Sequence, residues 1–194
     1  MNIPSLNEII LLLLGENSGQ LRGKTNVHKN IYLSSEMLKR KNIPLPCRFR
    51  PYFYGPFSSD VSNSLDILLA SGLVASREVD LGAGNDFEIK QTVYSLTDAG
   101  RNAFRELKSE YDEFAGVFSS AFRKISSTGY HQNTKCLATA AKIKHIISGQ
   151  NKPVTIQTIK DKATGLGWQL RDREIDQAIT VLEATGLASR SKKG

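Results

Sequence analysis

The chain has 194 residues, of which 26 are Lys or Arg and 19 are Asp or Glu, so it carries a formal charge of +7 and a pI near 9.4. Apolar residues make up 40% and charged residues 23%, which excludes a disordered chain. The longest uncharged apolar run, residues 9–14, is far below the ~18 residues that cross a bilayer and lacks the flanks of a secretory signal. We therefore expect a cytoplasmic protein with no membrane association.

The positive charge is concentrated in the second half of the chain. Residues 1–100 contain ten basic and ten acidic side chains, whereas residues 101–194 contain sixteen basic and nine acidic ones. Residues 131–194 alone have eleven basic and five acidic side chains, a net +6. A compact basic unit is typical of nucleic-acid binding, because neutralised phosphates release condensed counterions. A basic surface that serves only solubility is the alternative.

Hydrophobic periodicity predicts three helices in the first hundred residues. The first runs from Ser5 to about Gly15, and the second covers about residues 25–41 after a polar connection. The third begins at the N-capping cluster of residues 58–60 and ends at Gly72. Between the second and third helices, prolines forbid helix, and residues 49–54 are expected to form a short strand or extended segment.

Two strands follow the third helix. They are predicted at residues 74–79 and 91–96, joined by a turn-rich loop at 80–90, and Thr97 then caps a helix that runs to about Ile125. The order of three helices and two strands is typical of a winged helix-turn-helix, in which a β-hairpin called the wing covers the open edge of a three-helix core.

The C-terminal part repeats this pattern. Aligning Gly186 with Gly72, an offset of 114, makes six neighbouring positions agree, although a common helix end can also recur by chance. The aligned pairs are Val61 with Ile175, Leu65 with Ile179, Leu68 with Leu182, Ala70 with Ala184, Ser71 with Thr185 and Leu73 with Leu187. Two helices, at about 135–148 and 156–163, precede the repeated one.

These observations predict a mainly α fold with small β-hairpin wings, in the α+β class. We expect an N-terminal winged-helix module over residues 1–97 and a long connecting helix over residues 98–126. A basic, winged-helix-like module with a stunted wing is expected over residues 131–194.

The connecting helix carries a heptad seam, because apolar residues recur at alternating steps of three and four. The seam consists of Phe104, Leu107, Tyr111, Phe114, Phe118, Ala121 and Ile125. Four aromatic residues are bulkier than a two-stranded coiled coil usually accepts, so the seam could also pack within the chain. We favour a homodimer through residues 98–126.

Two segments resemble a known family. Residues 23–33, Gly-Lys-Thr-Asn-Val-His-Lys-Asn-Ile-Tyr-Leu, and residues 53–60, Phe-Tyr-Gly-Pro-Phe-Ser-Ser-Asp, resemble the YwgA-like family of small prokaryotic proteins. The SocA/Panacea antitoxin-type domains are more distantly similar. The likeness covers about residues 5–100, and the chain departs from the pattern at Lys24, Val27 and His28. The resemblance implies a winged-helix fold and supplies no catalytic residues.

No pattern in the sequence points to an enzyme. Residues 19–25 place three residues between two glycines, where a phosphate-binding P-loop has four, and they follow a helix rather than a strand. The three histidines and two cysteines are isolated from one another, and no nucleophile elbow is present. We expect no catalytic residues, no metal and no cofactor.

The candidate DNA-binding residues lie in the basic C-terminal module. Arg and Gln can read guanine and adenine edges, while Lys can hold phosphates. The predicted set is Arg171, Arg173, Gln177, Lys160, Lys162, Lys142, Lys144, Arg190, Lys192 and Lys193. An exposed, salt-bridged helix start is the alternative for Arg171 and Arg173. The third helix of the first module carries Asp60 and Asp66 and no cation, which favours a protein partner there.

The function expected from the sequence is binding of duplex DNA, of the transcriptional-regulator type, through the C-terminal module. The alternative is a protein-interaction scaffold or an antitoxin-like partner that uses winged-helix surfaces for docking.

Overall fold

A computed structural model describes residues 1–84, 87–131, 133–148, 150 and 154–189. Within these ranges the fold is mainly helical, with one small three-stranded antiparallel sheet, which confirms the α+β class. The elements are α1 Leu6–Glu16, β1 Gln20–Arg22, α2 Lys24–Lys39, α3 Ser59–Ala70, β2 Val74–Gly84, β3 Phe87–Leu96, α4 Asp98–Glu110, α5 Asp112–Ser126, α6 Thr134–Ser148, α7 Ile156–Gly165 and α8 Asp172–Ala184.

The sheet contains a strand that the sequence did not predict. Its order is β1-β3-β2, and β1 pairs antiparallel with β3, with Leu21 opposite Tyr94. Leu21 is the only apolar residue of β1, so the polar connection after α1 carries no alternating pattern that would indicate a strand. The strand forms because β3 supplies its hydrogen-bond partners and because the side chain of Leu21 is buried.

The β2–β3 hairpin is longer than predicted. Pairing continues through Asp80 with Lys90 and resumes, after a register shift, at Ala83 with Glu88. The prediction of a loop over residues 80–90 is therefore wrong for the described residues 80–84 and 87–90. In contrast, residues 49–54 form no strand, and the nearest pairing is an isolated bridge between Arg50 and Phe57.

Helix α1 is the centre of the first hydrophobic core. Ile9, Ile10 and residues 12–14 are fully buried, because α1 contacts α2, α3, α4 and α5 on different sides. A helix that is apolar all round must be surrounded by other elements. This requirement places α4 and α5 against α1.

The connecting helix is two helices, and its seam packs within the chain. Tyr111, with φ −115° and ψ 42°, separates α4 from α5. Phe114, Phe118 and Ile125 have no exposed surface, and α5 packs on α1 and α2. The prediction of one continuous helix is therefore wrong, because Tyr111 interrupts it. Most of the seam packs within the chain, and a homodimer through residues 98–126 stays a prediction.

A second core joins the C-terminal helices to α2. Side chains of α6, α7 and α8 pack together with Trp168, and the same core includes Tyr32 and Leu33 of α2 and Ile125 of α5. Val27 and Ile31 of α2 belong to the first core. The two cores therefore share α2.

The two helix ends that the sequence alignment pairs have the same backbone geometry. Gly72 follows α3 with φ +70°, and Gly186 follows α8 with φ +71°. In both cases the next residue, Leu73 or Leu187, donates its backbone N–H to the carbonyl of the leucine five residues earlier. These matching backbone bonds are the Schellman type of helix end, which requires a left-handed residue. Between α8 and the end of the described chain at Ser189, no strand forms.

We expect Gly100→Ala to destabilise the protein, because its Cβ would overlap the carbonyl oxygen of Leu73. Overpacking of this kind costs about 1–3 kcal/mol in the free energy of unfolding. Gly116 in α5 is the matched control, since no described heavy atom lies within 4 Å of its Cβ position and alanine is a better helix former. Urea denaturation measures both variants. A Gly100→Ala variant as stable as the unaltered protein would contradict this contact.

Candidate nucleic-acid interface

Three of the predicted DNA-binding residues meet at the start of α8. Arg171 is the N-cap residue, and its backbone N–H donates to Oε2 of Glu174 at 3.4 Å. Arg173 and Gln177 lie on the same helix, one turn apart. All of these residues line a cavity of about 350 Å³ between α6 and α8, together with Asn133, Lys135, Cys136 and Thr139.

The cavity is positively charged. Three cations line it, Arg171, Arg173 and Lys135, against the single carboxylate of Glu174. Lys135 Nζ lies 2.7 Å from Glu174 Oε1, and this bond is the main reason why the pKa of Glu174 is lowered from its ordinary value. The N-terminus of α8 adds a partial positive charge from its free N–H groups. The arrangement can therefore hold an anionic group such as phosphate.

The remaining cations of α7 and α8 differ in availability. Lys160 forms an ion pair with Asp172, so its charge is partly neutralised. Arg171, Arg173 and the exposed Lys162 form no ion pair with a described carboxylate. Lys162 lies on α7 and is not one of the residues that line the cavity.

Lys144 is a structural residue rather than an exposed cation. Its Nζ lies 3.2 Å from Glu36 Oε2 and donates to Ser148 Oγ at 2.6 Å, and both charged side chains are about nine-tenths buried. Burial alone would raise the pKa of Glu36, but Lys39 and Lys144 together lower it. The prediction that Lys144 contacts DNA is therefore wrong, because this face of α6 packs on α2.

Lys142 lies away from the α8 cavity. Its Nζ is 5.5 Å from the centre of the Trp168 ring, a cation–π distance, and burial lowers its pKa. Three further predicted residues, Arg190, Lys192 and Lys193, lie outside the described residues.

Helix α3 keeps the acidic surface expected from the sequence. Asp60 accepts the backbone N–H of Arg48 at 3.0 Å, and Asp66 lies 3.4 Å from Lys24 Nζ. Ile67 is 53% exposed on the same helix. This surface opposes phosphate and suits a protein partner.

Three neighbouring aromatic residues outside the predicted site are exposed. Tyr52, Phe53 and Tyr54 are 49%, 74% and 69% exposed. They belong to an aromatic loop, residues 52–57, which connects α2 to α3 in the chain and in space packs against α2 and α6. The Tyr-Gly-Pro sequence at residues 54–56 marks this loop in the sequence but does not by itself indicate that its rings are exposed.

Two buried basic residues of α2 support this aromatic loop. Lys29 Nζ donates to the carbonyl of Pro56 at 2.7 Å, and burial, with the charge of Lys142, lowers its pKa to about 7. His28 stacks on Phe57 at 4.7 Å, and its Nδ1 accepts the backbone N–H of Ser58 at 3.4 Å. Burial, followed by the charges of Lys29 and Lys24, lowers the pKa of His28 to about 3.

Sequence comparisons with known proteins assign no family and no function to this chain. No protein-family model matches the chain, and no curated protein matches it in sequence. The resemblance to the YwgA-like family therefore remains a prediction. In the described part of the chain, no group of three or more His, Cys, Asp or Glu residues could hold a metal ion. No helix there is long and apolar enough to cross a bilayer.

We expect Lys29→Met to remove a pH dependence of stability. The pKa of Lys29 is about 7 in the folded protein and 10.5 in its ordinary state, so the unfolded chain binds more protons between these values. The free energy of unfolding should therefore rise with pH, by at most about 1.4 kcal/mol per unit, and stay level below pH 7 for this group.

Urea denaturation of the unaltered protein and the variant at several pH values between 7 and 9.5 measures the difference. Lys41→Met, at an exposed lysine, should keep the slope. Identical slopes for Lys29→Met and the unaltered protein would show that Lys29 is not desolvated.

We expect Lys144→Met to lower the free energy of unfolding by roughly 3 kcal/mol, because it removes one partner of a buried ion pair. The loss is limited because Lys39 Nζ lies 2.6 Å from Glu36 Oε1 and still neutralises part of the Glu36 charge in the variant. Lys124→Met on the exposed side of α5 is the control and should change stability by less than about 0.5 kcal/mol. Thermal denaturation distinguishes the two variants. If Lys144→Met leaves the stability unchanged, Lys144 is not a buried structural residue and is again a candidate for DNA contact.

Proposed function

We propose that this chain is a tandem winged-helix protein that binds duplex DNA, in the manner of a transcriptional regulator, through the surface formed by α6 and α8. The observation that carries the proposal is the meeting of Arg171, Arg173 and Gln177 at one cavity beside Lys135. Arg171, Arg173 and Gln177 come from the start of α8. This helix is the third of the group α6, α7 and α8, and the third helix is the recognition helix in a helix-turn-helix.

The residue types suit the two tasks of a DNA-binding surface. Arg can donate two hydrogen bonds to guanine, and Gln can pair with adenine, both in the major groove. Lys135 and the N-terminus of α8 can hold phosphates, which fixes the position of the helix on the duplex. The guanidinium groups of Arg171 and Arg173 are exposed and form no ion pair with a described carboxylate, although the charge of Arg171 contributes to the lowered pKa of Glu174.

The order of elements supports the winged-helix part of the proposal. In the first half, α1, α2 and α3 precede the β2–β3 hairpin, and β1 adds a third strand to it. In the second half, α6, α7 and α8 follow in the same order, and α8 ends as α3 does. The sequence continues after Ser189 with three further cations, Arg190, Lys192 and Lys193.

A protein partner at α3 is the second candidate. The acidic side chains Asp60 and Asp66 and the exposed Ile67 favour protein contact over phosphate at this helix. Such a partner would bind the N-terminal half and leave the α8 surface free.

We expect the triple variant Arg171→Gln, Arg173→Gln and Lys135→Gln, at the three cations that line the α8 cavity, to bind duplex DNA at least tenfold more weakly than the unaltered protein. Each lost phosphate contact should also make the slope of log affinity against log salt shallower by about 0.9. Fluorescence anisotropy with a labelled duplex at several salt concentrations measures both quantities.

The matched control removes the same charge elsewhere, with Arg77→Gln, Arg105→Gln and Arg123→Gln at exposed positions of β2, α4 and α5. This control should bind within about twofold of the unaltered protein. Equal losses in the two triple variants would mean that only net charge matters, and no loss in either would refute the proposed surface.

A further inference from the structure

The cavity at α8 is one end of a longer groove. It shares Lys135, Thr139 and Glu174 with a second cavity of about 420 Å³, and the second shares Thr25 and Tyr54 with a third of about 160 Å³. We call the three together the basic groove. It runs from the start of α8, across α6, to the aromatic loop and the start of α2.

Cations follow the whole length of the basic groove. The exposed or half-buried ones are Arg171, Arg173, Lys135, Lys142 and Lys24, of which Lys24 also forms an ion pair with Asp66 outside the groove lining. Among the described lining residues the only carboxylate is Glu174, which Lys135 already neutralises. The groove is therefore complementary to a polyanion that extends beyond a single phosphate.

The far end of the groove presents aromatic rings. Tyr54 is 69% exposed and lines both the second and the third cavity, and Tyr52 lines the third. Phe53, at 5.0 Å from Tyr52 in an edge-to-face arrangement, is the most exposed of the three. Aromatic side chains bury large areas when they find a partner, so three exposed ones together mark a contact surface.

The aromatic loop is held in place before any ligand binds. Trp168 Nε1 donates to the carbonyl of Tyr52 at 2.7 Å, and Lys29 Nζ donates to that of Pro56. Gly55 adopts φ +91°, and a Cβ there would lie 3.0 Å from Lys142 Cγ, so only glycine fits this turn. A fixed loop loses little conformational entropy when a ligand stacks on it.

We propose that the basic groove binds a single-stranded segment of nucleic acid, with an unpaired base stacked on Tyr54 and the adjoining phosphates held by Lys142 and Lys135. A basic groove with aromatic stacking platforms is the arrangement by which proteins hold single strands. A duplex offers no free base face to Tyr54, whereas an unpaired strand does. The inference rests on the proposed function: a duplex bound at α8 would continue into an unpaired strand that lies along the basic groove.

The experiment compares Tyr54→Ala with Tyr54→Phe in the full chain. The probes are labelled oligothymidine, labelled oligouridine and a blunt duplex, measured by fluorescence anisotropy at low salt. Tyr54→Ala removes the ring on which the base stacks, so this variant should bind the single strands about five- to a hundredfold more weakly than the unaltered protein. Tyr54→Phe keeps the ring and should bind them as the unaltered protein does, and both variants should bind the duplex within about twofold.

The outcomes separate this inference from the proposed function. If the unaltered protein binds the duplex but neither single strand, or if Tyr54→Ala binds single strands unchanged, the inference is wrong and the aromatic loop belongs to a protein interface. If single strands bind through Tyr54 but the duplex does not bind, the inference stands and the proposed function is wrong. Tighter binding of oligothymidine or of oligouridine identifies the strand as DNA or RNA, and either supports the inference.

Discussion

The contact between α2 and α6 positions the two halves of this protein, and a buried ion pair lies within it. Lys144 of α6 reaches Glu36 of α2 at 3.2 Å, in a region from which both side chains are almost entirely shielded from water. Burying the pair costs desolvation energy, and Lys39 also binds Glu36, so the pair favours this placement of α6 over one that moves Lys144 away from Glu36. At the end of α2, Arg40 donates to the carbonyls of Gly186 and Leu187, which fixes the end of α8 as well.

The basic groove exists only because of this placement. Its walls come from α2, the aromatic loop, α6 and α8, which are far apart in the chain. Trp168 precedes α8 and donates to the backbone of Tyr52, so the C-terminal half also holds the aromatic loop. Basic and aromatic side chains therefore reach one surface through the packing of the second core rather than through their order in the sequence.

The structure divides the cations into roles that a charge count cannot separate. Lys29 and Lys144 are buried and hold backbone or carboxylate oxygens. Lys135 and Lys160 are paired with acidic residues of α8. The guanidinium groups of Arg171 and Arg173 form no ion pair with a described carboxylate and are therefore better candidates for phosphate contact than Lys135 or Lys160.

The sequence by itself determined the local features. Hydrophobic spacing and capping residues located the helices closely, and the alignment of Gly186 with Gly72 predicted two helix ends that have the same backbone geometry, because a left-handed residue after a leucine-containing turn is a local signal. Tertiary contacts decided the rest. Strand β1 depends on β3, and the burial of Lys144 depends on which face of α6 meets α2. Each of these depends on residues distant in the chain, whose meeting no local pattern specifies.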